Sequence, residues 1–170
     1  MSALVVDASA ALVLLRGEPG WTEVDDNLRR HMLEAEPLIV PPLFWLEVVN
    51  VLARRYRYPP SAVAEAVYGL EQIGVVTREV GRPGVLAVID AIGRSNLTAY
   101  DAAYLVLAES ADARLLTADV ALAAAAGERA ILVGGPAGIA DEPAPYEAAV
   151  AWPRWKGAAA YLAELRQAIS

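Results

Sequence analysis

Ala3-Leu4-Val5-Val6-Asp7-Ala8-Ser9-Ala10-Ala11-Leu12-Val13-Leu14-Leu15-Arg16-Gly17 stands near the start of the sequence, and its reading decides the fold. Ala3–Val6 is a short, wholly apolar, β-branched run closed by an acid, which reads as a buried strand. Ser9 then stands before an apolar helical stretch through Leu15, and Gly17 supplies the stop. A strand without polar alternation is covered on both faces, as in parallel sheets flanked by helices.

The same strand–helix unit recurs along the chain. Thr22 with Asp25 three residues on resembles a capping box, and Trp21, Val24, Leu28 and Met32 follow at helical spacing. Leu38–Val40 reads as a second strand. Pro41-Pro42 introduces a helix from Leu43 to Tyr58, which Pro59-Pro60 stops, and Ser61 caps a helix to Ile73. Val75–Val80 reads as a strand or extended connector, Gly81–Gly84 as a turn and Val85–Ser95 as a helix. Thr98 caps a helix to Ser110, Leu115–Leu116 is a strand, Asp119–Ala126 a short helix and Ala130–Val133 a last strand. The expectation is an α/β domain over residues 1–133, with a central parallel sheet between helical layers. From Gly134 to Ser170 the sequence turns rich in Gly, Pro and acids, then carries Trp152, Trp155 and a helix-like Ala158–Ile169, which reads as a C-terminal appendage packed on the same domain.

Composition narrows the chemistry. The 170 residues carry 14 Lys+Arg against 21 Asp+Glu, a net charge of −7, with one His and no Cys. Zero cysteines exclude a disulfide scaffold, an iron–sulfur cluster, a thiolate zinc site and a cysteine nucleophile. His31 alone cannot build a His-rich metal site. Met1–Ala11 has no basic leader and Asp7 interrupts its apolar stretch, so no export signal is expected and a cytoplasmic location is. Apolar runs elsewhere fall short of the roughly 20 residues a membrane helix needs, so no membrane association is expected.

Four acids stand where an apolar residue or neutral cap was due. Asp7 ends a buried strand, Glu47 interrupts the apolar Leu43–Val49, Asp101 lies in the first turn after Thr98, and Asp119 follows the Leu115–Leu116 strand. Three of these sit where strand carboxyl ends and helix N-termini line one edge of a parallel sheet, the edge at which such folds bind ligands. Each also has a plain structural explanation: Asp7 as a turn cap, Asp101 as the partner of Thr98, Asp119 as an N-cap, and Glu47 in a polar stripe with Asn50 and Arg54. Gathered together, carboxylates repel by roughly 4 kcal/mol per pair at 4 Å and an effective dielectric near 20. The natural counterion is a hard divalent cation such as Mg²⁺ or Mn²⁺. Metal-assisted phosphodiester hydrolysis is the leading chemistry, with one metal or two.

At this point the sequence resembles a known family, the PIN-domain endoribonucleases and in particular the VapC-type toxins of toxin–antitoxin pairs. The matching pieces are Val5-Val6-Asp7-Ala8-Ser9-Ala10, Glu47-Val48-Val49-Asn50-Val51-Leu52, Leu97-Thr98-Ala99-Tyr100-Asp101-Ala102-Ala103-Tyr104-Leu105 and Leu116-Thr117-Ala118-Asp119, in order, over about Met1 to Val133. The resemblance implies a three-layer α/β/α PIN-like domain. It implies an acidic site of Asp7, Glu47, Asp101 and Asp119 that binds Mg²⁺ or Mn²⁺ for RNA cleavage, with Asp7, Asp101 and Asp119 as metal ligands. Ser9 and Thr117 match small hydroxyl positions near the metal, and Asn50 is expected to orient Glu47 or bond nearby backbone. A homodimer and a cognate antitoxin with basic side chains are the implied partners.

A net charge of −7 sits badly with a broad basic RNA face. Arg16 and Arg54 are candidates for local phosphate contacts, and selectivity is expected from RNA shape or a single-stranded loop. Rivals fare worse. An aspartyl phosphotransferase of the haloacid-dehalogenase type needs a second Asp where Ser9 stands, and no Lys precedes Lys156. Gly134-Gly135-Pro136-Ala137-Gly138 lacks a nucleotide-binding spacing. A non-toxin RNA-processing nuclease and a catalytically silent PIN-like binding module remain as alternatives.

Overall fold

The computed structural model describes residues 3–134, together with positions 163 and 167. Among these residues five strands form one wholly parallel sheet in the order β3-β2-β1-β4-β5. They are β1 (Leu4–Val6), β2 (Leu38–Val40), β3 (Val75–Thr77), β4 (Arg114–Thr117) and β5 (Ala130–Leu132). The three residues of β1 are 0–1% exposed, as expected of a strand with both faces covered. Over residues 3–134, seven α-helices cover the sheet: α1 (Ala8–Arg16), α2 (Trp21–Leu33), α3 (Leu43–Asn50), α4 (Pro60–Gln72), α5 (Gly81–Ser95), α6 (Ala99–Ser110) and α7 (Val120–Ala126). The chain moves outward from β1 on one side through β2 and β3, then crosses to β4 and β5 on the other. The crevice at that reversal, between the carboxyl ends of β1 and β4, is where open α/β sheets place ligands.

One core joins both layers. Leu4, Val5, Val6, Ile39, Leu115 and Leu116 of the sheet pack with Leu12 and Leu15 of α1, Phe44 and Val48 of α3, and Tyr104, Leu105 and Leu107 of α6. Each such side chain removed from water contributes roughly 1.5–3 kcal/mol. Among α-helices, α6 is buried along most of its length, from Ala102 to Ala108. It packs against α5, β1, β4 and α7, so whatever its first turn carries is held rigidly at the sheet edge.

Several local expectations are corrected. Gly81–Gly84 is not a turn but the first turn of α5. Pro83 sits where the helix needs no amide donor, and Gly84 already donates to the Val80 carbonyl at 3.0 Å. Thr22 and Asp25 form no capping box: α2 begins at Trp21 behind Gly20, whose φ is 96°. A Cβ on Gly20 would meet the Gly134 nitrogen at 2.4 Å, so only glycine serves there. Asp25 instead pairs with Arg29 one turn on, at 2.7 Å. Ser61 is no cap, because α4 starts at Pro60 after Pro59. Ser9 lies within α1, after its first residue. The helix expected from Leu43 to Tyr58 is α-helical only to Asn50 and continues as a π-helical segment, Val51–Arg55, with Tyr56 donating five residues back to Val51 at 3.1 Å. The strand expected to reach Val80 stops at Thr77, and the short fourth strand extends over Arg114–Thr117. Beyond Gly134, the expected appendage with Trp152 and Trp155 lies outside the described residues.

Candidate active site

The carboxyl ends of β1 and β4 are tied together before any acid is considered. The Asp7 amide donates to the Leu116 carbonyl at 2.9 Å, and the Ala118 amide donates to the Ser9 hydroxyl at 2.9 Å. Asp7 follows β1 directly and is only 5% exposed. Its side chain does not cap α1. Instead Oδ2 receives two hydroxyl hydrogen bonds, one from Ser9 and one from Thr117 at 2.7 Å. Thr117, fully buried, also accepts the Asp119 amide at 2.9 Å, so one hydroxyl ties two of the four acids to the end of β4. Ser9 and Thr117 therefore clamp one oxygen of Asp7.

Each of the other acids is held in the same fashion. Glu47 Oε2 accepts the Tyr104 hydroxyl, which crosses from α6 to α3. Asp101 Oδ2 accepts the Thr98 hydroxyl at 2.6 Å, while the Thr98 oxygen accepts the Asp101 amide at 3.1 Å. Asp119 Oδ1 accepts the Leu122 amide at 2.8 Å and so caps α7. Every one of these donors is neutral. Every one engages a single carboxylate oxygen, and among the described residues Asp7 Oδ1, Glu47 Oε1, Asp101 Oδ1 and Asp119 Oδ2 have no protein hydrogen-bond partner. None of the four takes part in an ion pair among the described residues.

The electrostatics follow from that arrangement. Burial pushes the Asp7 carboxyl above its ordinary range; the Ser9 and Thr117 hydrogen bonds oppose the rise, and the charges of Asp101 and Asp119 add to it. Glu47 is raised by burial against the opposing hydrogen bond from Tyr104, with Asp7 and Asp101 adding repulsion. Tyr104 is pushed far up by burial and by the negative charges of Asp7 and Glu47, so its phenol stays protonated and remains a donor. Asp7 thus links the set: it feels the charges of Asp101 and Asp119, and Glu47 feels that of Asp7.

The donor set is all oxygen and uncompensated, which suits a hard divalent cation. Among the described residues no three acidic or histidine side chains are gathered into a ligating cage. Mg²⁺ does not require one, since it keeps several waters and is bound through one or two carboxylates directly.

The remaining candidates separate. Asn50, expected to orient Glu47, is exposed and makes no hydrogen bond among the described residues; Tyr104 performs that task. Its position three residues after Asp101, on an adjoining face of the same helix, was the available signal. Arg16 is committed elsewhere: Nε meets Glu18 Oε1 at 2.6 Å and the guanidinium lies 3.3 Å from the centroid of the Tyr56 ring. Arg54 is exposed on the π-helical segment.

Known proteins resemble the chain over most of its length. The PIN domain family matches residues 4–128. Ribonuclease VapC9 of Mycobacterium tuberculosis is 35% identical over 121 residues, covering 70% of this chain and 87% of the relative. VapC ribonuclease Mb0985 of Mycobacterium bovis is similar to the same extent, 35% over 121 residues. Among solved structures, that of PAE2754 from Pyrobaculum aerophilum superposes with a TM-score of 0.58 at 26% identity, covering 78% of this chain and 84% of the other.

Proposed function

The chain belongs to the PIN-domain family, in its VapC-type branch, and on that premise we propose that it is an endoribonuclease toxin whose RNA cleavage depends on Mg²⁺ or Mn²⁺. The observation that carries this reading is the shared pattern at the sheet edge: four carboxylates, each fixed through one oxygen by a neutral donor, each with the second oxygen left over. Neutral donors orient a carboxylate without cancelling its charge, so the cluster attracts a cation. Asp7, Asp101 and Asp119 would hold it. When bound, such an ion activates water and offsets charge on the phosphodiester. Glu47, whose proton affinity burial raises, takes up the proton that the attacking water loses. Tyr104 holds Oε2 and leaves Oε1 for that proton.

Further partners belong to the same proposal. A cognate antitoxin would present basic side chains to these carboxylates. A homodimer is supported by α5, where Val85, Leu86, Ile89 and Ile92 fall along one stripe and are all exposed. Among the described residues no helix is long and apolar enough to cross a membrane, and the site of action is proposed as the cytoplasm.

The test is cleavage of a mixed structured RNA pool by purified, antitoxin-free protein in Mg²⁺ or Mn²⁺, with EDTA and Asp101→Asn as controls. Cutting that requires both the metal and Asp101 supports the proposal. Cutting that survives either control contradicts it, and a protein that neither cuts RNA nor binds metal is a binding module instead.

A further inference from the structure

Three of the four site acids have an exposed apolar neighbour in the chain. Leu46 precedes Glu47 and is 73% exposed, Tyr100 precedes Asp101 and is 65% exposed, and Val120 follows Asp119 and is 62% exposed. Single exposed apolar residues are ordinary. These three flank one acidic site, and Tyr100 is held there by a rigid element. From Ala102 to Ala108 α6 is buried in the core, while its first turn, with Tyr100, is not. Tyr100 lies four residues before Tyr104, hence on the same face one turn further out. Tyr104 reaches Glu47 from that face, so the helical register puts Tyr100 on the Glu47-facing side of α6. Its ring makes no hydrogen bond and no ring contact among the described residues.

An RNA strand at this edge meets a physical difficulty. Phosphate contacts usually supply affinity, yet the chain carries −7 overall, four uncancelled carboxylates line the site, and Arg16 is occupied by Glu18 and Tyr56. A nucleobase escapes that difficulty because its π-face is uncharged and stacks on an aromatic side chain independently of phosphate neutralisation. A base can use such a surface only if it is out of its own stack, as in single strands and loops.

We propose that Tyr100 is the stacking platform of a base-binding subsite, taking an unstacked nucleobase next to the phosphate held at Asp7, Glu47, Asp101 and Asp119, with Leu46 and Val120 as its apolar rim. This rests on the endoribonuclease reading of the same site and adds a residue, Tyr100, that positions the strand there. Tyr100 contributes binding and position, and the acids do the chemistry.

The test uses the full chain and a pool of single-stranded oligoribonucleotides, followed by the fastest-cut member resynthesised with an abasic nucleotide on either side of the mapped cleavage point. Tyr100→Ala should lower kcat/KM by about five- to a hundredfold, the range for losing one base–aromatic stack, with the loss falling mainly on KM. Tyr100→Phe and Tyr100→Trp should restore most of it. Tyr68→Ala, which removes a tyrosine exposed to 60% on α4, should leave cleavage unchanged. An abasic nucleotide at the stacked position should cost wild type as much as Tyr100→Ala does, and should cost Tyr100→Ala nothing further. Thermal melts of the variants should match wild type, since the ring is exposed. If wild type cuts and Tyr100→Ala cuts equally well, the subsite is overturned while the nuclease reading stands. Unchanged cutting with weakened self-association would assign the ring to a protein interface and overturns it too. A wild-type protein that cuts nothing overturns both.

Discussion

The two ends of the sheet treat carboxylates in opposite ways. At the amino end of β4, Asp112 lies 2.9 Å from Arg129, which also donates to the Ala113 carbonyl at 3.3 Å; the charge is met by a charge. At the carboxyl ends of β1 and β4, Asp7, Glu47, Asp101 and Asp119 are held only by hydroxyls and an amide. An ion pair at the surface is self-contained and adds little, about 0–1 kcal/mol. A cluster held by neutral donors keeps its negative charge, costs stability through burial and repulsion, and stays available to a cation. The difference bears on the proposed function: one end is finished as a protein surface, and the other is left in the state that a bound cation would complete.

The comparison breaks most visibly if the acids are neutralised one at a time. Asp7→Asn and Asp101→Asn should reduce RNA cleavage to background while leaving the circular dichroism spectrum unchanged. Retention of more than a tenth of wild-type activity in either would remove that residue from the site. Next in size is the clamp. Thr117→Val keeps the shape of the side chain but deletes the donor to Asp7 and the acceptor of the Asp119 amide. A loss of about 1–3 kcal/mol in urea unfolding is expected from leaving buried partners unmet. Tyr104→Phe should cost about 1–2 kcal/mol for the same reason and slow cleavage, because Glu47 loses its anchor.

A pH effect follows from burial, and its sign is opposite to that of a paired acid. The Asp7 and Glu47 carboxyls are raised in the folded state, so folding binds protons there. Their favourable contribution is complete below the ordinary carboxylate range and is lost as pH rises through the raised folded-state values. Metal-free Asp7→Asn should therefore melt with wild type near pH 4 and a few degrees above it at neutral pH. An unchanged melting difference across that range would contradict the burial account. The smallest effect is expected at the other end of the sheet. Asp112→Asn should leave cleavage intact and shift stability by no more than about 0.5 kcal/mol.

Much of this was legible in the sequence, for reasons particular residues make plain. Ala3–Val6, Leu38–Val40 and Ala130–Val133 are too short and too apolar to be anything but strands of a parallel sheet, and they fall in the sheet within a residue of where they were expected, the first two buried and the last at the half-exposed edge. Gly81-Arg82-Pro83-Gly84 misleads because the residues that favour a turn are also tolerated in a helix's first turn, where the backbone donors are still unpaired. The Leu43–Tyr58 helix looks continuous because nothing in its side-chain pattern distinguishes a five-residue from a four-residue hydrogen-bond step. The acids show a subtler limit. Capping and ligand binding seemed alternative roles for Asp101 and Asp119, yet a carboxylate has two oxygens, and each of these spends one on the helix and keeps the other. Tyr104 was hidden because its partner, Glu47, lies on another helix 57 residues away. Arg16 was hidden likewise, since only the folded chain brings Tyr56 beneath it.

Calorimetric titration of Mn²⁺ into wild type and Asp7→Asn, with the thermal melt of each followed in parallel, tests most directly whether the uncancelled edge is a cation site. Saturable binding that stabilises wild type, by about 2.7 kcal/mol at a hundredfold excess over Kd, and is lost or sharply weakened in Asp7→Asn is the predicted result. Equal titrations for the two proteins, or none for wild type, would contradict it.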